Sequence, residues 1–201
     1  MSYRLWYFPF RGRGEQVRLL LHALGQPFEN VPVKREELLE LKKQGPRVLP
    51  FGSLPVLQDG EFRLAQGPII LSYLARKHGI APTDPQEAAR ADSIALGAED
   101  LRTKFFALLG EGAAEKQATF LATEWKTRWL PSLEGLLAQN ASNDFFVGDH
   151  LTHADIAVWD AVDGVLTRMP KASLEGFPGL QRFCKQIQTL PALASYLAKR
   201  P

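Results

Sequence analysis

Tyr7-Phe8-Pro9-Phe10-Arg11-Gly12-Arg13-Gly14 joins an apolar strand to an amphipathic helix through a basic turn. Upstream, Tyr3, Leu5 and Tyr7 alternate with Arg4, Trp6 and Phe8, a density of aromatic bulk that predicts a buried strand. Pro9 has no N–H to donate and ends the ladder. Gly12 and Gly14 permit a tight turn, after which Val17, Leu20, Leu21 and Leu24 recur at helical spacing until Gly25 supplies a stop. A tyrosine hydroxyl at the C-terminal end of a strand, facing a turn with two arginines, is placed to donate to an anion. On this stretch alone, Tyr7 reads equally well as a half-buried core aromatic.

Outward from that unit, Phe28 to Val33 predicts a second strand, with Pro27 and Pro32 marking it as an edge. Glu36 to Lys43 predicts a short helix, acidic early and basic late as the helix dipole prefers, ended by Gly45-Pro46. Val56-Leu57-Gln58 and Glu61-Phe62-Arg63-Leu64 flank Asp59-Gly60, which suits a hairpin turn. Pro68 to His78 predicts a helix closed by Gly79. The order βαβαββα within residues 1–80 is a thioredoxin-like arrangement. Ala81-Pro82-Thr83-Asp84-Pro85 reads as a linker, and residues 86–201 as an all-helical domain. Its segments are Gln86 to Leu109, Glu115 to Ala138, Ala154 to Arg168 and Leu180 to Leu197, interrupted by Gly110-Glu111-Gly112, Asn140 to Gly148 and Pro191. Thr152 and Asp155 form a capping box with Asp in place of Glu, a signal of stability rather than catalysis.

A chain of 201 residues, 45% hydrophobic, can bury a substantial core as one large or two small domains. Its first ten residues lack the basic and apolar regions of a secretory signal, and no segment has the ~20 apolar residues needed to span a bilayer, so a cytoplasmic protein without a membrane partner is expected. The single cysteine, Cys184, excludes an internal disulfide and a Cys-x-x-Cys pair, and its apolar helical neighbours read it as a small buried hydrophobe. His22, His78, His150 and His153 lie in different segments at no metal-ligand spacing, so no metal is expected. Residues 1–80 hold 12 Lys and Arg against 7 Asp and Glu, whereas the remainder holds 12 against 15. The basic half suits a small anion. Nucleic acid is disfavoured, because acids intersperse the positive charges and no basic run is flanked by stacking aromatics.

Two further stretches border the first turn in a thioredoxin-like layout: Leu49-Pro50-Phe51-Gly52-Ser53-Leu54-Pro55-Val56-Leu57 and Gln66-Gly67-Pro68. If Leu54-Pro55 is cis, the Leu54 N–H and C=O project outward, free to pair with an extended peptide. The N–H groups at the start of the following helix suit a carboxylate, with one donor removed by Pro68. With Tyr7-Phe8-Pro9-x-Arg11-Gly12-Arg13, Glu99-Asp100-Leu101-Arg102 and Val147-Gly148-Asp149 followed by Thr152-x-x-Asp155, these motifs make the whole chain resemble the cytosolic glutathione S-transferases of the tyrosine type, especially the sigma and pi classes.

The resemblance implies a detoxifying transferase that conjugates glutathione, its co-substrate, to small hydrophobic electrophiles. Tyr7 would hold the glutathione sulfur as thiolate, with Arg13 tuning the field. Ser53, Leu54 and Pro55 would meet the peptide backbone. Gln66, Gly67 and Asp100 of the partner subunit would meet the γ-glutamyl end, and Lys43 or Lys42 the glycine carboxylate. Phe8, Phe10, Phe106 and Gly110 would border the electrophile in a pocket that the helical domain completes, and the chain end at Pro201 leaves no long tail to cover it. Phe105 is expected in the core. Phe51 corresponds to an aromatic that inserts into a partner subunit, which implies a homodimer. Three positions depart from the family pattern. Gly67 stands where the family has Ser, so Gly67→Ser is expected to tighten glutathione binding. Leu38 or Leu39 stands nearest a missing Trp, and Gly110 where the pi class has a second tyrosine. Glutathione-dependent isomerisation of the sigma type and a carrier of hydrophobic ligands are the alternatives on the same fold.

Overall fold

Alternation in Tyr3–Tyr7 becomes strand β1, with Tyr3, Leu5 and Tyr7 turned into the core. The computed structural model describes residues 2–142 and 144–200; Pro201 and, within the Asn140 to Gly148 interruption, Asn143 lie outside them. After a single 3₁₀ turn at Gly12–Gly14 comes helix α1 (Glu15–Ala23), followed by β2 (Phe28–Pro32), α2 (Arg35–Lys43), β3 (Val56–Asp59), β4 (Phe62–Ala65) and α3 (Gly67–Lys77). The strand order is β2-β1-β3-β4: β1 pairs parallel with β2, as a helical crossover requires, and antiparallel with β3, while β3 and β4 form the hairpin expected from Asp59-Gly60. The prolines around β2 accordingly fall on an edge strand. The thioredoxin-like fold and the helical segment after it are as the sequence implies.

The helical part comprises α4 (Pro85–Phe106), α5 (Ala114–Phe120), a π-helical stretch Leu121–Trp129, α6 (Leu130–Gln139), α7 (His153–Arg168), α8 (Pro178–Gln188) and α9 (Pro191–Leu197). Asp84 caps α4 by accepting from the Gln86 and Glu87 N–H groups at 2.9 and 3.0 Å. The α7 capping box is present: Asp155 accepts from the Thr152 N–H at 2.7 Å and from the Phe146 N–H at 2.8 Å. Periodicity predicts one helical segment over Glu115 to Ala138; the π stretch within it buries Leu121, Trp125 and Trp129 at a spacing of four, which fits either winding.

Two compact units emerge. One holds the residues up to Gly79 together with those from Gln188 onward, and the other spans Ile80–Ile187. Helix α9, which the sequence places in the helical domain, therefore packs with the sheet unit, where it lies against α1. Within the sheet unit, Leu49, Val56 and Ala65 form a cluster joined by Trp6, Leu38, Leu41, Val48 and Leu54. Within the helical unit, α4 packs along α7, and Phe105, buried as expected, lies so close over Gly164 that a Cβ there would meet its ring at 2.6 Å. Among the described residues no helix is long and apolar enough to cross a membrane.

Candidate functional site

Tyr7 ends β1 with its carbonyl accepting from the Val33 N–H at 2.9 Å, which fixes the backbone, while its ring is only 6% exposed. The basic turn folds back over that ring. Gly12 has φ +42°, and a side chain there would strike the Tyr7 hydroxyl; a Cβ on Gly14 would lie 2.6 Å from the ring. Glycine at both positions is therefore a matter of clearance as much as of backbone freedom. The turn delivers the Arg13 N–H to the Tyr7 oxygen at 2.7 Å. Burial pushes the Tyr7 hydroxyl above its usual pKa, opposed by the Arg13 N–H bond and by the charges of Arg13 and Arg18. The phenol oxygen accepts from the backbone N–H groups of Arg13 and Gly14, while burial favours its protonated form.

Arg18, absent from the sequence-based site, holds this turn in place. Its guanidinium is 8% exposed and donates to the carbonyls of Phe8, Phe10 and Arg11 at 3.2–3.3 Å, to Asn30 at 2.9 Å and to Glu15 at 3.2 Å. Its carbon sits 5.7 Å from the Tyr7 ring centre. Glu15 is fully buried and also accepts from the Tyr196 hydroxyl at 2.9 Å. An i, i+3 pair of opposite charges was the only sequence signal for this network, and such pairs ordinarily face water.

Phe8 and Phe10 stack at 5.4 Å with planes 7° apart, each edge-on to Tyr7, and Phe10 is 54% exposed. Beside them a cavity of about 260 Å³ is lined by Tyr7, Phe8, Phe10, Arg18, Pro32 and Tyr196. Phe106 and Gly110 belong to the helical unit, Phe106 half-buried edge-on to Phe105 at 4.5 Å and Gly110 exposed beyond the end of α4.

The Leu54-Pro55 bond is cis. Leu54 is half-buried, Ser53 exposed and Pro55 buried, all just before β3. Gln66, exposed at the start of α3, has φ +73°, the one non-glycine residue with positive φ among the described residues; such a backbone costs about 1–3 kcal/mol and clusters at ligand clamps. Gly67 is buried behind it. Lys43 turns to Glu40 at 2.6 Å, whereas the stem of Lys42 runs alongside Gly52, where a Cβ would lie 3.8 Å from it. Of the two leucines near the missing Trp, Leu38 packs into the cluster with Leu54 and Leu39 is 60% exposed. Asp100 is exposed on α4 and Phe51 is 69% exposed in its loop. Among the described residues no group of three His, Cys, Asp or Glu side chains could hold a metal ion.

Thioredoxin-like sheet, tyrosine at the end of β1 and cis-proline before β3 define the class, and comparison with known proteins agrees. Residues 1–76 match the glutathione S-transferase N-terminal domain and residues 99–200 the glutathione S-transferase C-terminal domain. The chain is similar to glutathione S-transferase 1 of Ascaris suum, 37% identical over 207 residues, covering 100% of this chain and 97% of that one. It is similar also to glutathione S-transferase P 2 of Bufo bufo, at 34% identity with 98% and 92% covered. The crystal structure of the glutathione S-transferase from Ascaris lumbricoides superposes with a TM-score of 0.84 at 32% identity, covering 100% and 98% of the two chains. The chain belongs to the glutathione S-transferase family.

Proposed function

We propose that the chain is a glutathione transferase that conjugates glutathione to small hydrophobic electrophiles, with Tyr7 as the catalytic residue. The observation that carries this is the Tyr7 hydroxyl itself, buried and accepting from the Arg13 N–H, where burial raises its pKa and so favours the protonated donor. A free thiol with a pKa of about 8.5 needs about 2.7 kcal/mol to drop two units. A hydrogen bond from a phenol to a thiolate contributes about 1.5–3 kcal/mol, and a desolvated donor fixed before the thiol arrives spends little on reorganisation. Arg13 adds positive field at the same oxygen.

In this reading the glutathione backbone pairs with Leu54, flanked by Ser53 and Pro55, and its γ-glutamyl end meets Gln66 and Gly67, with Asp100 of the partner subunit on the ammonium. The strained Gln66 backbone supports the γ-glutamyl placement. Lys42 suits the glycine carboxylate better than Lys43, because Lys43 is engaged by Glu40 while Lys42 lies along the loop that leads to Leu54. The stacked Phe8 and Phe10 and the cavity beside them suit a flat apolar electrophile. Phe106 and Gly110 belong to the proposal through the resemblance. Residues 1–80 supply most of the glutathione contacts together with Phe8 and Phe10, and residues 86–201 supply Asp100, Phe106 and Gly110. The setting is a cytoplasmic, detoxifying homodimer, in which Phe51 would bury its exposed ring in the partner subunit. Full-length relatives named glutathione S-transferase favour conjugation over isomerisation or a carrier role.

The test is conjugation of glutathione to an activated aryl halide. Tyr7→Phe should lower kcat by about 10- to 100-fold, the equivalent of one such hydrogen bond, with the fold intact by circular dichroism. Equal rates in the two proteins would remove Tyr7 from catalysis.

A further inference from the structure

We propose that Gln16 and Gly67 are a coupled pair: Gln16 is a positioning residue for the γ-glutamyl end of the glutathione site, and glycine at 67 is required by that pairing rather than being a lost hydroxyl. The proposal rests on the glutathione reading of the site. Gln16, on α1, has no exposed surface, and its Nε2 donates to the Arg13 carbonyl at 3.4 Å. Through its N–H the same Arg13 donates to Tyr7. A Cβ built on Gly67 would collide with the Gln16 Nε2 and lie 3.3 Å from its Cδ and 3.8 Å from the Arg13 carbonyl oxygen. The Gln16 amide therefore occupies the volume that any side chain at 67 would claim. It is wedged between the first turn of α3 and the turn that carries Arg13.

A fully buried amide does not step aside freely. Moving it takes its donor from the Arg13 carbonyl and presses on a packed interior, and overpacked sites resist such shifts. Gln16 thus fixes how far the start of α3 stands from the catalytic turn. A tripeptide bound with its sulfur at Tyr7 and its γ-glutamyl end at Gln66 and Gly67 spans that distance, so its two ends are in register only while the separation holds. Pro68 offers no N–H, so recognition at this end leans on the Gly67 backbone, which Gln16 supports from beneath. The expectation from family pattern alone, that Gly67→Ser tightens binding, changes sign.

Calorimetry on the full chain with glutathione, across wild type, Gly67→Ser, Gln16→Ala and the double variant, tests the pair. Gly67→Ser alone should weaken binding about tenfold, while the same change in the Gln16→Ala background should leave affinity unchanged or improve it. The dipeptide cysteinylglycine, which lacks the γ-glutamyl group, separates positioning from general damage: Gly67→Ser should lower the glutathione-to-dipeptide affinity ratio about tenfold, whereas a loosened fold lowers both affinities alike. If Gly67→Ser alone does not fold, recovery of folding in the double variant supports the pair and its absence overturns it. Tighter or equal binding by Gly67→Ser, or effects that simply add, would overturn the pairing while leaving the function intact. A wild type that binds no glutathione at millimolar concentration would overturn the functional reading and the positioning role with it.

Discussion

Each compact unit buries one arginine among acids and carbonyls, and the two do different work. In the helical unit Arg102, 1% exposed, pairs with Glu99 at 2.6 Å and Asp160 at 2.8 Å and donates to the Ala157 carbonyl at 3.2 Å, so it ties α4 to α7. In the sheet unit Arg18 pairs with the Glu15 carboxylate and gives most of its donors to the carbonyls of the turn over Tyr7. A guanidinium matched to two carboxylates is a fastener between helices. One matched to loop carbonyls shapes a site. Equal burial of the same side chain therefore predicts loss of stability in one place and loss of activity in the other.

The largest effect expected from this contrast is Arg102→Ala, which leaves the Asp160 charge buried without its guanidinium and should reduce unfolding free energy by about 3–5 kcal/mol in urea denaturation. Glutathione affinity of the folded fraction should stay as in the wild type. A stability loss under about 1 kcal/mol would break the comparison on the helical side. Next comes Arg18→Lys. An ammonium keeps the charge but cannot reach several carbonyls at once, so the turn shifts and kcat/KM should fall about 100-fold, with only about 1–2 kcal/mol of stability lost. Unchanged kinetics would make Arg18 a fastener like Arg102.

Asp155 sharpens the same contrast through pH. Burial pushes its carboxyl up to about 6, against the hydrogen bonds from Phe146 and Thr152. A carboxyl raised in the folded state favours the protonated fold, so its contribution is complete below the unfolded pKa, near 3.8, and is lost as pH rises through about 6. Between pH 4.5 and 7 the wild type should lose about 2 kcal/mol relative to Asp155→Asn, followed by denaturation at each pH. A difference independent of pH would mean that the carboxylate is ionised throughout. The effect belongs to folding alone, and activity per folded molecule should not follow it.

Elements written in local pattern were legible in the sequence. Alternation revealed β1, the Asp59-Gly60 turn revealed the hairpin, and Thr152 with Asp155 revealed the start of α7. What escaped depends on neighbours distant along the chain. Tyr196 reaches Glu15 across 181 positions, and nothing in the helical periodicity of Leu180 to Leu197 says that its last helix packs on α1. Periodicity singles out only Val17, Leu20, Leu21 and Leu24 in the first helix, yet every residue of α1 from Glu15 to Leu21 is buried. Gly67 read as a missing hydroxyl for the same reason, because the side chain that fills its place lies on another element.

Ionisation of the glutathione thiol in the binary complex, followed by thiolate absorbance against pH in wild type and Tyr7→Phe, tests the central claim most directly. With a protonated Tyr7 donating to the sulfur, the bound thiol should ionise about two units below its free value of about 8.5 in the wild type, and close to that free value in the variant. The same low midpoint in both proteins would contradict the account.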